Sequence, residues 1–516
     1  MNPLLLIVII PVLAGICGYF IYRLRNEFNF IGAALTLYYA IYLFIVTRSS
    51  KVLYYQLFNI KNINWGFYLD QFNSIIILLL AIIFALILFY SIRYLRDYQY
   101  LSKFNLFLMF AIAITYAIIL SNNLVLLFFL LITLSVLWYI FLLASKTNSA
   151  FFANQLFLTT TIFNIIISLG IYIFIYETNI SSLASKLPII SSKVIIALLL
   201  IFVGIIGKTF IIPIHFRISN QSPLNFIIFL PLIADKIASV YLLIRLLYFV
   251  LNINLIPLLQ FVILIIGGLS TVYLGVKAIK AKEIFQLLNY HSIIQLGLVF
   301  IGIGCGNIFG LASAIYHLIN YLTCQPALLL TTSSFEYWTK STNFESVQGL
   351  ASKMPITFIV FSIMMLAIIG IPPLNGFFSR WLLFQGLLQF NNIVISLAFT
   401  LSVFLGGILF LVASLRGLLA FWGKETKYSQ RIRDPGFTMT FSPMLLALLA
   451  IISGVFANSF SWQTILFPTL SQIFNNVSRT TPYHFGIGFS LLLISLITGI
   501  IIYLIKLNAF KVRSAA

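Results

Sequence analysis

Charged residues stand inside two long apolar runs of the sequence. Lys208 lies in GKTFIIP, which ends at Pro213, and Asp235 and Lys236 lie in LPLIADKIA. A charged side chain near the middle of a membrane costs about 2.5–3.5 kcal/mol on insertion scales, so it faces a hydrated cavity or a partner group. A lysine in such a cavity can exchange its proton with water or a neighbouring group. The two lysines therefore suggest proton transfer, with snorkelling or static pairing as the alternative.

Prolines mark two of the apolar runs. Pro213 follows Lys208 by five residues, and a proline in a helix leaves a backbone carbonyl without its hydrogen bond. A later run contains the pair Pro372 and Pro373, followed by Arg380. Two proline-broken helices five segments apart are typical of inverted-repeat transporters, although two prolines can also fall there by chance. Arg380 keeps its proton at physiological pH, so it can steer or gate but not relay.

A third group of polar residues shares one face of a predicted helix. His317, Tyr321 and Gln325 are spaced at i, i+4 and i+8, which places them one above the other. Such a row can line a file of water. A single buried histidine is more often a hydrogen-bonded core group, so both roles stay open for His317.

The composition identifies the kind of protein that positions these residues. Of the 516 residues, 62% are hydrophobic and 8% are charged, with a mean hydropathy of +1.10. A soluble domain has about a quarter charged residues, so a solvent-exposed fold is excluded. Uninterrupted apolar blocks such as residues 75–89 exclude a porin-type barrel, whose strands alternate polar and apolar residues. We predict an all-α protein that spans the membrane many times.

The apolar blocks predict 14 or 15 membrane-spanning helices, by the criterion of roughly 18 or more apolar residues. Lys and Arg number 30 against 10 acids, and they cluster at the ends of the blocks, where they set topology rather than bind nucleic acid. Alternating from an outside N-terminus puts about nineteen basic residues inside and about six outside. This bias predicts an integral inner or cell membrane protein with its N-terminus outside and its C-terminus inside. The predicted spans are residues 4–22, 28–47, 72–92, 104–120, 122–144, 156–177, 194–215, 223–250, 257–279, 284–304, 307–331, 355–388, 393–422, 440–457 and 484–506.

The predicted spans leave no room for a soluble domain, and they divide the chain into four segments. N-terminal helices occupy residues 1–103, one repeat occupies 104–250, a second occupies 257–422, and C-terminal helices occupy 440–516. The sequence shows no metal-ligand spacing, nucleophile triad or nucleotide-binding fingerprint. The three cysteines lie inside apolar blocks without CxxC spacing, which favours neither a disulfide framework nor an iron–sulfur site.

Four motifs resemble the antiporter-like membrane subunits of respiratory complex I. That family also includes multisubunit Na⁺/H⁺ antiporters and membrane-bound hydrogenases. The resemblance covers about residues 70–420, and Lys236, together with the chain length, favours subunit N over L or M. The motifs are the K-x4-P-x-H run at 207–216, the eighth-helix lysine segment at 234–238, a segment similar to IKRLLAYSSIxxxG at 283–297, and a GIPPxxGFxxK-like break at 370–380.

The resemblance implies a membrane subunit that helps a redox-driven NADH-quinone oxidoreductase of the respiratory chain to move protons. In such a subunit Lys208 and Lys236 relay protons, and His317 and Gln325 hold a file of water. Three prolines would break the helices, namely Pro213, Pro372 and Pro373. Quinone, FMN and iron–sulfur clusters would belong to partner subunits, and this chain would hold no cofactor. Its partners would be other membrane subunits and the lipid bilayer.

Three of the departures from the family pattern lie at positions that would carry charge. Ile132 stands where the family's fifth helix carries a glutamate, Arg380 replaces a lysine, and Gln325 occupies a position that is lysine in some relatives. These differences favour one alternative, a non-conducting scaffold subunit. A second alternative is a subunit of a cation/proton antiporter, a membrane-bound hydrogenase or an inorganic-carbon uptake complex.

Overall fold

The computed structural model describes residues 2–49, 52–60, 63–96, 101–144, 150–186, 191–209, 225–422 and 432–479. Within them the chain is almost entirely helical, and eleven helices are long and apolar enough to cross a membrane. In hydrocarbon every backbone polar group needs an internal partner, which a helix supplies along its own length. The prediction of an all-α, multi-spanning membrane protein is confirmed.

The helices follow the predicted spans closely, and the last predicted span, residues 484–506, lies outside the described residues. Two short π-helices, Arg245–Val250 and Ala457–Leu466, follow α8 and α16. The helices are α1 Pro3–Phe20, α2 Arg25–Arg48, α3 Gln71–Tyr94, α4 Leu101–Leu120, α5 Leu124–Ala144, α6 Ala150–Thr178, α7 Ser192–Thr209, α8 Asn225–Ile244, α9 Pro257–Ile279, α10 Ile284–Gly304, α11 Ile308–Thr339, α12 Leu350–Lys353, α13 Pro355–Ile369, α14 Asn375–Leu388, α15 Ile393–Leu419, α16 Phe437–Val455 and α17 Phe467–Leu470.

A β-hairpin between α2 and α3 was not anticipated from the sequence. Strands β1 Leu53–Ile60 and β2 Ile63–Leu69 pair antiparallel. The hairpin is held by the loop between α4 and α5, where Asn122 accepts a hydrogen bond from the Gly66 amide and Asn123 donates to the Asn64 carbonyl. The end of the helix bundle at which this hairpin lies is called the hairpin side below.

Helix α11 occupies the centre of the bundle. It packs against α3, α8, α10, α13, α14 and α16, and its residues from Gly310 to Glu336 are all buried. Side chains on α11 therefore meet partners from both halves of the chain. This explains why the polar row predicted on this helix is embedded in protein rather than exposed to lipid.

A break separates α13 from α14 in the region where the sequence predicts one. Helix α13 ends at Ile369, Gly370 adopts a left-handed φ of +87°, and α14 begins at Asn375. Pro372 and Pro373 lie in the gap, where a proline ring cannot continue the hydrogen-bond ladder. The other predicted break, at Pro213, lies outside the described residues.

Replacing Gly376 by alanine should destabilise the break by at least about 2 kcal/mol, because small-to-large changes in a packed site force backbone shifts. A Cβ atom at Gly376 would lie 1.8 Å from the Ala367 carbonyl oxygen, which is backbone and cannot rotate away. We expect a lower melting temperature of the purified protein. In the control, Gly417→Ala, the new Cβ would meet a leucine methyl of Leu287 at 2.8 Å, which can move. Equal melting temperatures for the two variants would contradict this account of the break.

Candidate functional site

Lys208 is at the centre of a buried polar group that joins four helices. Its Nζ donates a hydrogen bond of 2.9 Å to Asn164 Oδ1 on α6 and lies 3.3 Å from Asp235 Oδ1 on α8. Asn164 in turn donates to the Ser135 hydroxyl on α5 at 3.0 Å. Each of these side chains is buried. The group therefore places a lysine, a carboxylate and two neutral polar side chains in one enclosed volume.

The Lys208–Asp235 contact is a fully buried ion pair. The two side chains have relative exposures of 0% and 1%. Removing one partner of such a pair typically costs 3–5 kcal/mol, because the other charge is left in the interior without compensation. Asp235 thus stabilises the charge of Lys208 inside the membrane. The sequence alone did not identify the partner of Asp235.

The carboxylate beside Lys208 comes from α8 rather than from α5. Ile132 on α5, where the resemblance to the family places a glutamate, is 36% exposed, so it lies at the surface of the bundle. An apolar side chain at the surface of a membrane protein suits contact with lipid or with another subunit. Lys208 therefore has a counter-charge although α5 carries no glutamate, because Asp235 on α8 supplies the carboxylate.

Lys236 belongs to a second buried group. Its Nζ donates to the Ser292 hydroxyl on α10 at 2.6 Å, and Ser292 lies 3.0 Å from the Tyr321 hydroxyl on α11. In the part of the chain that the structure describes, Lys236 makes no ion pair with a carboxylate. A lysine held by neutral hydroxyls in a buried site has less to stabilise its charged form than Lys208 has.

Helix geometry separates the two groups. Asp235 and Lys236 are consecutive in α8, and neighbours on a helix point about 100° apart. Asp235 accordingly faces Lys208 on α7, whereas Lys236 faces Ser292 on α10. The expectation that Asp235 and Lys236 do not pair with each other is confirmed. Helix α8 is therefore the element that connects both lysine groups.

The polar row predicted on α11 faces two neighbours. Tyr321 contacts Ser292, and the Gln325 side-chain amide donates to the Leu288 carbonyl on α10 at 3.1 Å. His317 Nδ1 instead lies 2.7 Å from the Ser379 hydroxyl on α14. Tyr321 thus belongs to the Lys236 group, while His317 contacts α14, the helix that follows the break. A water file along these residues stays a prediction.

Arg380 lies beside the break. Its guanidinium donates to the Ile368 carbonyl at 3.3 Å and lies over the Phe410 ring at 5.9 Å. The His291 ring also packs on Phe410, with centroids 4.1 Å apart, and its Nε2 lies 3.4 Å from the Ser414 hydroxyl. Among the described residues Arg380 forms no ion pair, so a backbone carbonyl and an aromatic face hold this charge.

Comparison with protein-family models adds the decisive observation. Residues 121–406 match the family described as "NADH:quinone oxidoreductase/Mrp antiporter, TM". The chain belongs to this family. Residues 57–105 also match the model of the complex I chain 5 N-terminus, a range that includes the second half of β1 and all of β2 and α3. The family membership predicted from the four motifs is therefore confirmed.

Curated relatives fall into two kinds of assembly. The chain is 24% identical over 499 residues to Na(+)/H(+) antiporter subunit A1 of Staphylococcus haemolyticus, covering 88% of this chain and 61% of that protein. It is 29% identical over 221 residues to NADH-quinone oxidoreductase subunit N of Desulforudis audaxviator, covering 41% and 43%. It is 24% identical over 495 residues to subunit L of Rickettsia typhi, covering 88% and 72%. The chain thus spans about three fifths of that antiporter subunit's length, and the choice of subunit N stays a prediction.

Solved structures show the same fold. The membrane-bound sulfane sulfur reductase, an archaeal respiratory membrane complex, contains a chain that matches with a TM-score of 0.79 at 19% identity, covering 91% of this chain and 97% of that one. The Mrp complex from Dietzia gives 0.77 at 16% identity, with the same coverage. Respiratory complex I from Thermus thermophilus gives 0.74 at 18%, covering 91% and 99%. The likeness to these structures shows the fold, and the expectation that the partners are other membrane subunits stays a prediction.

Several residues of the site were missed from the sequence. Asn164 and Ser135 complete the Lys208 group, and Ser292 completes the Lys236 group. Each is a single polar residue within an apolar helix, which is a weak signal because serine and asparagine also occur at helix–helix contacts in membranes. Only the packing of α5, α6 and α10 against the lysine helices reveals their role.

Proposed function

We propose that this antiporter-like subunit carries protons in a redox-driven membrane complex of the NADH-quinone oxidoreductase type. The observation that supports the proposal best is the placement of Lys236, buried and held by the neutral hydroxyl of Ser292. An intramembrane ionisable residue that faces the interior of a helix bundle is typical of a proton relay. Relatives named NADH-quinone oxidoreductase subunits N and L support the redox-driven assignment.

The chemistry is a proton transfer along hydroxyl groups. The Lys236 ammonium gives a proton to the Ser292 oxygen, and the Ser292 hydroxyl passes its own proton to the Tyr321 oxygen. The Tyr321 hydroxyl in turn releases its proton to a water molecule, so that Lys236 is left neutral and both hydroxyls are restored. A hydroxyl can accept one proton while it donates another, so each step leaves the hydroxyl's own charge unchanged. The distances of 2.6 and 3.0 Å are within hydrogen-bond reach.

The Lys208–Asp235 pair supplies a means of control. Asp235 is bound to Lys208 and is adjacent in sequence to Lys236. While the ion pair is closed, the carboxylate is held by Lys208. When the pair opens, the carboxylate becomes available to stabilise a charged Lys236 through a movement of α8. Opening of this pair therefore raises the proton affinity of Lys236, and closing of the pair lowers it.

In this proposal redox chemistry takes place in partner subunits. FMN, iron–sulfur clusters and quinone would be bound there, and this chain would receive only a conformational or electrostatic signal. His317 and Gln325 would hold water between the Lys236 group and the break at Pro372 and Pro373, where Arg380 steers protons without relaying them. Pro213, whose position is outside the described residues, would break the helix that carries Lys208.

A second candidate is a subunit of a cation/proton antiporter. The specific observation is that Na(+)/H(+) antiporter subunit A1 of Staphylococcus haemolyticus matches 88% of this chain. The partner proteins discriminate between the candidates. We would tag the chain, extract it gently and identify by mass spectrometry what migrates with it on a native gel. Flavin and iron–sulfur subunits support the redox-driven complex, whereas antiporter subunits alone reject it in favour of ion exchange.

The proton-carrying role is tested by a double variant, Lys208→Ala with Lys236→Ala. We expect the assembly to form at a reduced level and to show no coupled proton movement after reconstitution into vesicles. The control is Lys193→Ala, which removes an exposed lysine of the same helix α7 that pairs with Glu177. Proton movement by the double variant at the wild-type rate per assembled complex would refute the role and leave the scaffold alternative.

A further inference from the structure

A second buried ion pair lies on the hairpin side of the lysine groups. Arg245 Nη1 donates to Asp70 Oδ2 at 2.5 Å, and the two side chains have relative exposures of 1% and 2%. Asp70 directly follows β2 and caps α3 by accepting a hydrogen bond from the Asn73 amide at 3.0 Å. Both carboxylate oxygens are therefore occupied, and the pair connects the start of α3 to the π-helix that follows α8.

Aromatic rings enclose this ion pair. The Arg245 guanidinium lies 5.0 Å from the Tyr68 ring centroid and 4.4 Å from that of Phe249. Phe72 stacks on both Tyr241 and Phe249, with centroids 5.7 and 5.5 Å apart. Phe72 and Tyr241 are fully buried. The result, called the plug below, is a buried cluster of aromatic rings with one cation at its centre.

The plug lies between Lys236 and the hairpin side. Arg245 follows Lys236 by nine residues, which is about 13 Å along a helix axis. Tyr241 lies between them on α8. A proton that left Lys236 towards the hairpin side would have to pass Tyr241 and then Arg245. No contact that the proposed proton transfer requires involves Arg245 or Asp70, so the pair needs another explanation.

Arginine interrupts proton transfer for a chemical reason. A guanidinium has five N–H donors and no acceptor, and it does not lose its proton in proteins. A hydrogen-bonded chain that conducts protons needs groups that both accept and donate. Charged arginines and apolar constrictions exclude protons and cations from membrane pores in the same way. Asp70 compensates the charge, so the arginine can remain in the interior.

We propose that Arg245, clamped by Asp70, seals the hairpin side of the Lys236 group and so decides the side from which Lys236 exchanges protons. This inference rests on the proposed proton-carrying function and adds its direction. When no reaction drives the complex, the seal keeps the two sides of the membrane separate. Without it, protons would flow back through the subunit down their gradient. Arg245 acts on direction and does not itself carry a proton.

The test uses the purified assembly in vesicles that contain a pH-sensitive dye, with a potassium diffusion potential and no driving reaction. We expect wild-type vesicles to acidify as slowly as protein-free ones. The variant Arg245→Ala with Asp70→Asn opens space for water and keeps a capping side chain on α3, and it should leak about tenfold faster. Adding Lys236→Ala to this variant should return the leak to the wild-type rate.

Two results would overturn the seal. The first is an Arg245→Ala with Asp70→Asn variant that assembles normally and does not leak protons. The second is a proton leak that persists after Lys236→Ala is added, which would mean that the variant disrupts the fold in general. If the double variant does not assemble, Phe72→Ala opens the same plug and carries the same expectations. The control is Lys193→Ala with Glu177→Gln, which removes an exposed ion pair and should stay tight. The proposed function fails separately, when Lys208→Ala with Lys236→Ala still moves protons in the driven assembly.

Discussion

Replacing Asp235 by leucine should cost about 3–5 kcal/mol of stability, because it leaves the Lys208 charge buried without its partner. The Lys208 Nζ would keep only its hydrogen bond to Asn164, which is neutral. We expect most of the variant chain to be missing from the assembly. The measurement is the amount of assembled complex on a native gel, relative to wild type.

The double variant Lys208→Met with Asp235→Leu separates structure from function. Replacing both partners of a buried ion pair by apolar residues is often neutral or stabilising, so assembly should recover. Proton movement should not recover, because the switchable carboxylate beside Lys236 is gone. If the double variant assembles as poorly as Asp235→Leu alone, the two residues do not act as a pair. If it moves protons at the wild-type rate, the pair has no part in transport.

Replacing Lys236 by arginine should lower coupled proton movement by about 100-fold or more, the range that a positioned acid or base contributes. Arginine keeps a positive charge in the site and can donate to Ser292, but it does not lose its proton. A lysine that only stabilised the fold would tolerate this change. The measurement is the proton flux per assembled complex in vesicles under the driving reaction.

Two further variants make this result specific. Lys236→Gln removes the charge but keeps a donor for Ser292, and it should assemble yet fail to transport. Lys340→Arg is the matched control, because Lys340 is exposed at the C-cap of α11, with its ammonium over the Tyr337 ring. It should assemble and transport like wild type. Normal transport by Lys236→Arg would show that Lys236 does not exchange protons.

The order and limits of the helices could be predicted from sequence because they depend on local properties. A run of apolar residues long enough to cross a membrane becomes a helix whatever packs beside it, since no other structure satisfies its backbone there. The predicted span at 284–304 agrees with α10, Ile284–Gly304, and the break at Pro372 and Pro373 follows from proline geometry alone. The family followed from motifs that are local too, because the residues within each motif lie close together in the chain.

The hairpin escaped prediction because its stability is not local. A two-stranded hairpin alone is marginal, and β1 and β2 are held in part by the loop that carries Asn122 and Asn123. The sequence between α2 and α3 gives no sign of that support. The terminal orientation and the division into repeats stay predictions.

Which charges meet was decided by the tertiary structure alone. The sequence gives the angle of Asp235 on α8, but the neighbour at that angle depends on how α7 and α10 pack on either side. Asp70 and Arg245 are 175 residues apart, and no pattern in the chain relates them. Ion pairs need atoms within about 4 Å. Only the complete packing of the bundle fixes distances that short, so the lysine groups and the arginine plug become visible once the helices are in place.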